Sequence, residues 1–268
     1  MNKILFIIIA LVAIGIVGFF ALNNFIYNEK QGKITKENNT ENTDNMENEI
    51  KITPISHATM VLGMAGRTIY TDPVGGKEAF AGNPAPDIML VTDIHGDHLN
   101  AETLQNVATS KTVIVAPQAV ADLLPENIPG NLQILKNGEA VEQFGINILA
   151  IPMYNMPESE SAPHTKGRGN GYVLEAGGKR VYIAGDTGDT PEMRALINID
   201  IAFVPMNLPY TMTVEKAADA VLEFKPKVVH PYHYRGQNGL SDIQKFKELV
   251  NAGDPSINVE LLNFYPEP

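Results

Sequence analysis

The sequence from residue 50 onward predicts a mixed α/β (α+β) domain in which two β-sheets pack together and helices cover their outer faces. Two observations support this prediction. Strand-like hairpins are followed by strand–helix units, and this order occurs twice along the chain. Apolar residues make up 44% of the sequence, which is enough to build a sizeable core.

The first half of the domain is predicted to begin with antiparallel hairpins. Residues 50–55 alternate in polarity like a half-buried strand, and a turn at Ala65-Gly66 joins the next two strands. The apolar run at 88–91 indicates a buried strand, and Asn100 is typical of a helix N-cap. The other predicted elements are strands at 59–64, 67–71, 112–116, 132–135 and 146–151 and a short helix at 119–124.

The second half repeats this order from residue 171 onward. Two strand-like runs flank a turn at 176–179, and a helical turn is predicted at 191–196. Thr213 and Ser241 are predicted to cap the two helices that follow, because hydroxyl side chains are typical N-caps. The predicted elements are strands at 171–175, 180–184, 199–204, 228–229 and 258–262 and helices at 213–224 and 240–251.

Two imidazoles and two carboxylates occur within six residues, Asp93-Ile94-His95-Gly96-Asp97-His98, between a predicted strand and a predicted helix. Imidazole nitrogen and carboxylate oxygen together suit zinc and its first-row neighbours. Residues two apart near a strand end face the same side, so Asp93, His95 and Asp97 are expected to point into one cavity. His98 then points elsewhere and is available to a second metal. The segment therefore predicts a metal site.

Two other interpretations of this segment are weaker. A calcium loop needs oxygen ligands and a glycine at its sixth position, where this segment has His98. A solvated turn would not account for the other histidines. Four of the six histidines form two tight clusters, and each cluster follows a strand-like apolar run.

Other candidate ligands also follow predicted strands. Asp186 comes directly after Gly185, which lets the backbone approach closely, and it could bridge two metals or bind its own backbone in a turn. His233 lies in the loop after the strand at 228–229 and is the stronger ligand candidate there. His230 is equally well explained as a core histidine.

A polar loop at residues 162–169 provides further candidates. His164 could be a ligand, a substrate contact or a surface residue. Lys166 and Arg168 are either contacts to an anionic substrate or solvated charges on a loop that covers the site. His57 follows the first predicted strand and is expected to support the site by holding a ligand in place.

The charge balance and the lack of cysteine exclude several classes of function. The formal net charge is −11 and the isoelectric point is near 5.0, so the chain lacks the basic surface that nonspecific nucleic-acid binding needs. No nucleic-acid partner is expected. Without cysteine there is no thiolate ligand and no cysteine nucleophile, so any metal must be held by His, Asp, Glu or Asn.

The amino terminus predicts a membrane anchor. Residues 4–22 are apolar, carry no charge and are long enough to cross a bilayer as a helix. Their length and a poor cleavage site favour an uncleaved anchor over a signal peptide. The polar residues 23–49 are expected to be a flexible linker to the domain at 50–268. The short tail with Lys3 favours a single-pass membrane protein whose catalytic domain lies outside the cytoplasm.

Taken together, residues 92–98, Gly185-Asp186-Thr187 and His233 resemble the motifs of the metallo-β-lactamase superfamily. Residues 56–58 and 166–172 add a closer resemblance to the branch that contains ascorbate-6-phosphate lactonase-like and N-acylphosphatidylethanolamine phospholipase D-like proteins. The resemblance extends from about residue 50 to the end. It implies a four-layer αββα sandwich with the metal site at one edge, between the sheets.

Two positions depart from the pattern of that family. Its core motif is His-x-His-x-Asp-His, and this chain has Asp93 in the first position. Its next ligand is a histidine after the strand that ends near Tyr154, where this chain has Asn155. Both positions belong to one metal site, in which His164 could replace the missing imidazole. The resemblance implies that the other site is complete, with Asp97, His98, Asp186 and His233.

These inferences predict a metal-dependent hydrolase that uses a metal-activated water on an ester, lactone or phosphodiester. Zinc, as one or two ions, is the expected cofactor, with manganese or iron as alternatives. Asp97 is expected to orient the attacking water or accept its proton as well as to bind metal. Two alternatives are a phosphodiesterase of membrane lipids and a non-catalytic metal- or ligand-binding module with a degenerate first site. The expected partners are a small-molecule or lipid substrate and, through the anchor, the membrane.

Overall fold

The computed structural model describes residues 49–266, whose strands form two mixed sheets and one short hairpin. The six-stranded sheet keeps its strands in chain order. Its first three strands are antiparallel, and the last three extend the sheet in parallel. These strands are β1 (Lys51–Ser56), β2 (Thr59–Met64), β3 (Arg67–Thr71), β4 (Ile88–Leu90), β5 (Val113–Ala116) and β6 (Asn131–Ile134).

The second sheet is built from the strands β7 (Ala140–Gln143), β8 (Ile146–Met153), β9 (Gly169–Ala176), β10 (Lys179–Ile183), β11 (Ile201–Pro205), β12 (Val228–Tyr232) and β15 (Asn258–Val259). They lie in the order β7-β8-β9-β10-β11-β12-β15, antiparallel up to β10 and parallel beyond it. Each sheet therefore joins an antiparallel part to a parallel part, which confirms the repeated order predicted from the sequence. The short hairpin consists of β13 (Arg235–Gly236) and β14 (Gly239–Leu240).

The helices of the described residues are a 3-10 helix (Lys77–Phe80), α1 (Ala101–Val107), α2 (Gln118–Ala121), α3 (Pro191–Arg194), α4 (Val214–Phe224) and α5 (Ile243–Gly253). The predicted caps of α1 and α4 are confirmed, since the side chains of Asn100 and Thr213 each accept a hydrogen bond from the backbone three residues later. The cap predicted for α5 is wrong by one residue. Asp242 caps that helix, because Ser241 donates its hydroxyl to the carbonyl oxygen of Met206.

Alternation along the strands gives the six-stranded sheet two apolar faces. Met60 of β2 belongs to the cluster between the two sheets, whereas its neighbour Val61 packs with Leu104 of α1 and Val120 of α2. On the far side, α4 and α5 bury their apolar faces against the second sheet, with Phe246 fully buried. The layers are therefore helix, sheet, sheet and helix, as the family resemblance implied. Each fully buried large side chain contributes roughly 1.5–3 kcal/mol.

Within residues 49–266, no helix is both long enough and apolar enough to cross a bilayer. The anchor predicted at residues 4–22, and the linker predicted to follow it as far as residue 48, lie outside the described residues.

Both sheets bring strand ends to one edge of the sandwich. The carboxyl ends of parallel strands meet at the same edge of a sheet, and this holds for β4 and β5 and for β10 to β12. The segment at 93–98 follows β4, Asp186 follows β10, and His233 follows β12. The fold therefore collects the ligand candidates from distant parts of the chain at one edge.

Candidate metal centre

Three side chains from three strand ends form one buried ligand group, His98, Asp186 and His233. The Nε2 atoms of the two imidazoles lie 3.1 Å apart. Oδ2 of Asp186 is 3.3 Å from Nε2 of His98, and Oδ1 is 3.2 Å from Nε2 of His233. Oδ2 of Asp97 lies 3.3 Å from Nε2 of His233, so this carboxylate borders the same group.

A second ligand group consists of Asp93, His95 and His164. Oδ2 of Asp93 is 2.7 Å from Nδ1 of His95 and 3.7 Å from Nε2 of His164. Nε2 of His164 is also 3.1 Å from Oδ2 of Asp186. Asp186 therefore lies between the two groups. The second imidazole of this group comes from His164, and Asn155 is not part of the group.

Asp97 does not lie in the same group as Asp93 and His95, contrary to what strand alternation had predicted. The backbone turns after Asp93, since the amides of His98 and Leu99 both donate to the carbonyl oxygen of His95. Asp97 therefore falls into a group with His57 and His233 instead. The strand period applies only while the chain is extended, and here it has already ended.

The donor set fits a metal ion. Nε2 of His164 and Oδ1 of Asp186 are buried and make no hydrogen bond. Burying such polar atoms costs free energy unless a cation binds them. Nδ1 of His98 is engaged by Asp72, so Nε2 presents its lone pair to the group. Nitrogen and oxygen donors of this kind suit zinc, iron and manganese.

The carboxylates of the centre are held in the ionised state that metal binding requires. Burial would raise the pKa of Asp186, but His233 and His98 hold it well below its usual value. Burial would lower the pKa of the His98 imidazole, but in the metal-free protein Asp186 and Asp72 hold it well above its usual value, so metal binding would displace the proton from its Nε2. Burial would also raise the pKa of Asp97, but the hydrogen bonds to His233 and His57 have the larger effect and lower it.

Asp72, which the sequence analysis did not single out, supports His98. Its Oδ2 is 2.8 Å from Nδ1 of His98, and it accepts hydrogen bonds from the backbone and the hydroxyl of Thr92, both at 2.7 Å. Asp72, His57 and His233 all have left-handed backbones, with φ of 43°, 55° and 47°. Strained backbone in side-chain-bearing residues is concentrated at functional sites.

Replacing Asp72 with asparagine is expected to weaken metal binding at the His98 group by about 10- to 100-fold, because the neutral amide no longer makes the ligand nitrogen more basic. Competition titration of zinc against a chromophoric chelator measures this. Asp87→Asn is the matched control, since Asp87 precedes β4 and lies at the opposite edge of the sheet. Equal zinc affinity in Asp72→Asn and wild type would contradict the supporting role.

His57 and Asn155 each contact a residue of these groups. Nε2 of His57 is 3.1 Å from Oδ2 of Asp97, and its Nδ1 is 2.5 Å from the hydroxyl of Tyr265. Oδ1 of Asn155 accepts the backbone amide of His164 at 2.8 Å and so fixes that residue beside the centre. The supporting role of His57 stays a prediction that this geometry favours.

The remaining candidates lie in three different settings. Arg168 donates two hydrogen bonds to the carboxylate of Asp93, from Nε at 3.1 Å and from a terminal nitrogen at 3.0 Å. Lys166 pairs with Glu192 at 3.0 Å. His230 is buried against Phe203 with its Nδ1 on the carbonyl oxygen of Glu260, so the structure keeps it in the core and does not bring it to the ligand groups.

An open cavity of about 330 Å³ lies over the centre. It is lined by His95, Asp97, His164 and Asp186 of the ligand groups and by residues from the loop after β11 and from the β13–β14 hairpin. The other lining residues are His57, Pro163, Asn207, Tyr210 and Arg235. A small molecule in this cavity would touch both ligand groups.

A profile described as a beta-lactamase superfamily domain matches residues 51–233. The chain belongs to the beta-lactamase superfamily. This superfamily member is 32% identical over 210 residues to a UPF0173 metal-dependent hydrolase of Thermococcus onnurineus, with 75% of the chain and 92% of the relative covered. It is 29% identical over 225 residues to a UPF0173 metal-dependent hydrolase of Staphylococcus carnosus, with 78% and 96% covered.

Solved structures agree with this membership. A protein of Parabacteroides distasonis described as a metal-dependent hydrolase is 40% identical, with a TM-score of 0.70 and coverage of 79% of this chain and 92% of that one. A metallo hydrolase of Ignicoccus hospitalis, 24% identical with a TM-score of 0.67 and coverage of 80% and 95%, shares the fold. The predicted superfamily and sandwich are confirmed, and the chain is a metal-dependent hydrolase.

These comparisons also correct the sequence analysis. The names of these superfamily relatives mention metal-dependent hydrolysis and no lipid, so the alternative of a membrane-lipid phosphodiesterase has no support. The predicted single-pass membrane localisation is contradicted by the same relatives. They favour an enzyme over a non-catalytic binding module.

Proposed function

We propose that this chain hydrolyses a small-molecule ester, lactone or phosphodiester at a centre for two metal ions. The observation that carries the proposal is the position of Asp186. Its carboxylate lies 3.1 Å from Nε2 of His164 in one ligand group and 3.3 Å and 3.2 Å from those of His98 and His233 in the other. A buried carboxylate between two imidazole-containing groups has the place of a ligand shared by two metals.

The two groups divide the proposed ligands between the ions. Asp93, His95 and His164 would hold the first ion, and Asp186 would be shared. The second ion would be held by Asp97, His98 and His233. Zinc is the ion we expect for these donors, and manganese and iron are the alternatives. Two imidazoles and one carboxylate in the first group suit iron as well as zinc.

A bound metal in such a centre lowers the pKa of water and polarises the oxygen of the bond to be broken. The chain itself supplies orientation. Asp97 lines the cavity with a side chain that is 42% exposed, and its Oδ2 is held by His57 and His233. The lowered pKa of Asp97 makes it a weak proton acceptor, so we assign it to orienting the attacking water through its other oxygen.

The cavity favours a small substrate. Its volume of about 330 Å³ lies at the lower end of the range for small-molecule sites. The net charge of −11 disfavours a nucleic acid as the substrate. A small ester, lactone or phosphodiester therefore fits both the size of the cavity and the charge of the chain.

Metal removal tests the proposal directly. After chelation, hydrolysis of a panel containing a nitrophenyl ester, an aliphatic lactone and a nitrophenyl phosphodiester is expected to fall at least about 1,000-fold, because loss of the metal removes several kcal/mol of transition-state stabilisation. Addition of zinc, manganese or iron separately identifies the ion that restores turnover. Elemental analysis is expected to give two ions per chain. Hydrolysis that persists in the metal-free protein would refute the proposal.

A further inference from the structure

Arg235 differs from the other four arginines of the chain. Arg67, Arg168, Arg180 and Arg194 each contact a carboxylate. Among residues 49–266, no carboxylate contacts the guanidinium of Arg235 within ion-pair distance, although that side chain lines the cavity over the centre. An unpaired guanidinium at the rim of a cavity is a ready donor for an anion.

The position of Arg235 is fixed by its surroundings. Its guanidinium lies 4.3 Å from the centroid of the Tyr265 ring, and its backbone amide donates to the Tyr265 hydroxyl at 3.0 Å. The next residue, Gly236, packs so closely that a Cβ there would lie 2.1 Å from the carbonyl oxygen of Leu208. The hairpin is therefore held against the loop that forms the other side of the rim.

Tyr265 also connects Arg235 to the metal edge. The hydroxyl that accepts from the Arg235 backbone is 2.5 Å from Nδ1 of His57, and Nε2 of His57 is 3.1 Å from Asp97. Tyr265 therefore holds both Arg235 and, through His57, Asp97, which we assigned to orienting the attacking water. An anion bound at Arg235 would have a fixed position relative to Asp97.

A second donor faces the same cavity. Asn207 is buried and lines the cavity, and its Oδ1 accepts the hydroxyl of Thr211 at 2.5 Å. That hydroxyl also accepts the Asn207 backbone amide at 3.0 Å, so the backbone and the side chain of Asn207 both bind Thr211. In the part of the chain that the structure describes, the Nδ2 group of Asn207 makes no hydrogen bond and remains available as a donor.

We propose that Arg235 and Asn207 form an anion subsite, so that the preferred substrates carry a carboxylate or a phosphate group beside the bond that is hydrolysed. This inference rests on the proposed hydrolase function. Asp97 and Asp186 line the cavity as ligands of the proposed metal centre, and Arg235 is the one lysine or arginine among the lining residues. An anionic substituent that pairs with Arg235 leaves the scissile group to the metal centre.

Paired substrates test the subsite. The metal-loaded enzyme is assayed with 4-nitrophenyl glutarate, which has a free carboxylate, and with neutral 4-nitrophenyl valerate. Wild type is expected to favour the glutarate ester, and Arg235→Gln is expected to reduce the ratio of the two kcat/KM values by about 10- to 100-fold, mainly through KM. Arg235→Lys restores part of the ratio, because a point charge replaces the two-pronged donor. Lys111→Gln, at the opposite edge of the sheet, removes the same charge and leaves the ratio unchanged.

Direct binding separates failure of the subsite from failure of the hydrolase. Calorimetry with glutarate and with phenyl phosphate measures anion binding in the metal-loaded enzyme even when neither ester is hydrolysed. Weaker binding of either anion to Arg235→Gln than to wild type supports the subsite and shows which anion it prefers. Affinities for both anions that are the same in Arg235→Gln and wild type, together with an unchanged kcat/KM ratio, would overturn the inference. Turnover of neither ester, with anion binding that depends on Arg235, would instead count against ester hydrolysis alone.

Discussion

Replacing His98 with alanine is expected to reduce hydrolysis by at least about 1,000-fold and to remove one metal ion from the chain. His98 is fully buried, and its Nε2 lies within 3.3 Å of both His233 and Asp186. Steady-state assays and elemental analysis of the same preparation test the two effects together.

The corresponding change at Asp186 is expected to have a wider effect. Because its carboxylate contacts His164 as well as His98 and His233, Asp186→Ala should lower the occupancy of both ions and not only of one. Glu142→Ala is the control, since Glu142 is an exposed acid on β7 outside every ligand group. If either His98→Ala or Asp186→Ala kept activity within tenfold of the control, the assignment of the centre would fail.

Much of the fold follows from local patterns in the sequence. The apolar run before Asp93 forms β4, and the caps at Asn100 and Thr213 begin α1 and α4 where predicted. The elements that were missed are short or exposed. β13 and β14 have two residues each, too few to show a period, and β7 has no fully buried side chain.

The structure brings the aspartates and histidines predicted from the sequence together, but in other groups than strand alternation indicated. Aspartates and histidines that follow parallel strands lie together at one edge, because parallel strands share an orientation. A position directly after a strand can be read from the order of residues along the chain. Whether Asp97 faces Asp93 or His233 depends on one turn at His95, and whether His164 reaches Asp186 depends on the path of a loop. Neither the turn nor the path of the loop can be read from the periodicity of apolar residues along the sequence.

Two supporting residues lay outside the sequence analysis for different reasons. Asp72 directly follows β3 and so carried the same signal as Asp186, an acid at the end of a strand. This position after a strand is enough to predict a role for Asp72 at the site. Tyr265 comes near the end of the chain, far from any motif, and only the packed structure brings its hydroxyl to His57 and Arg235.

Arg168 is expected to contribute strongly to the stability of the metal-free protein. It contacts Asp93, whose side chain has no exposure to solvent, through two hydrogen bonds of 3.1 Å and 3.0 Å. Without the guanidinium, the buried carboxylate keeps two imidazoles as partners, the partly exposed His95 at 2.7 Å and His164 at 3.7 Å. Arg168→Met is therefore expected to lower the free energy of unfolding by roughly 3 kcal/mol, since removing one partner leaves an uncompensated buried charge.

The pH dependence of this loss has a definite sign. Burial would raise the pKa of Asp93, but the hydrogen bond from His95 and the charges of His98 and Arg168 hold it below its usual value. A depressed pKa contributes stability above the pKa of the unfolded chain, about 4, and that stability is lost as the pH falls through the folded value. The gap between wild type and Arg168→Met should therefore be largest near pH 7 and should shrink below pH 4.

Denaturant unfolding of the chelated proteins at pH 7 and pH 3 measures both expectations. Arg67→Met is the matched control, because Arg67 and its partner Asp87 are partly exposed, and such a pair contributes about 1 kcal/mol or less. Zinc should narrow the gap for Arg168→Met, since a cation at Asp93 would replace the charge that was removed. If Arg168→Met lost no more stability than Arg67→Met at pH 7, Arg168 would not be what stabilises Asp93. The aspartate would then stand in the histidine position of the family motif without help from that arginine.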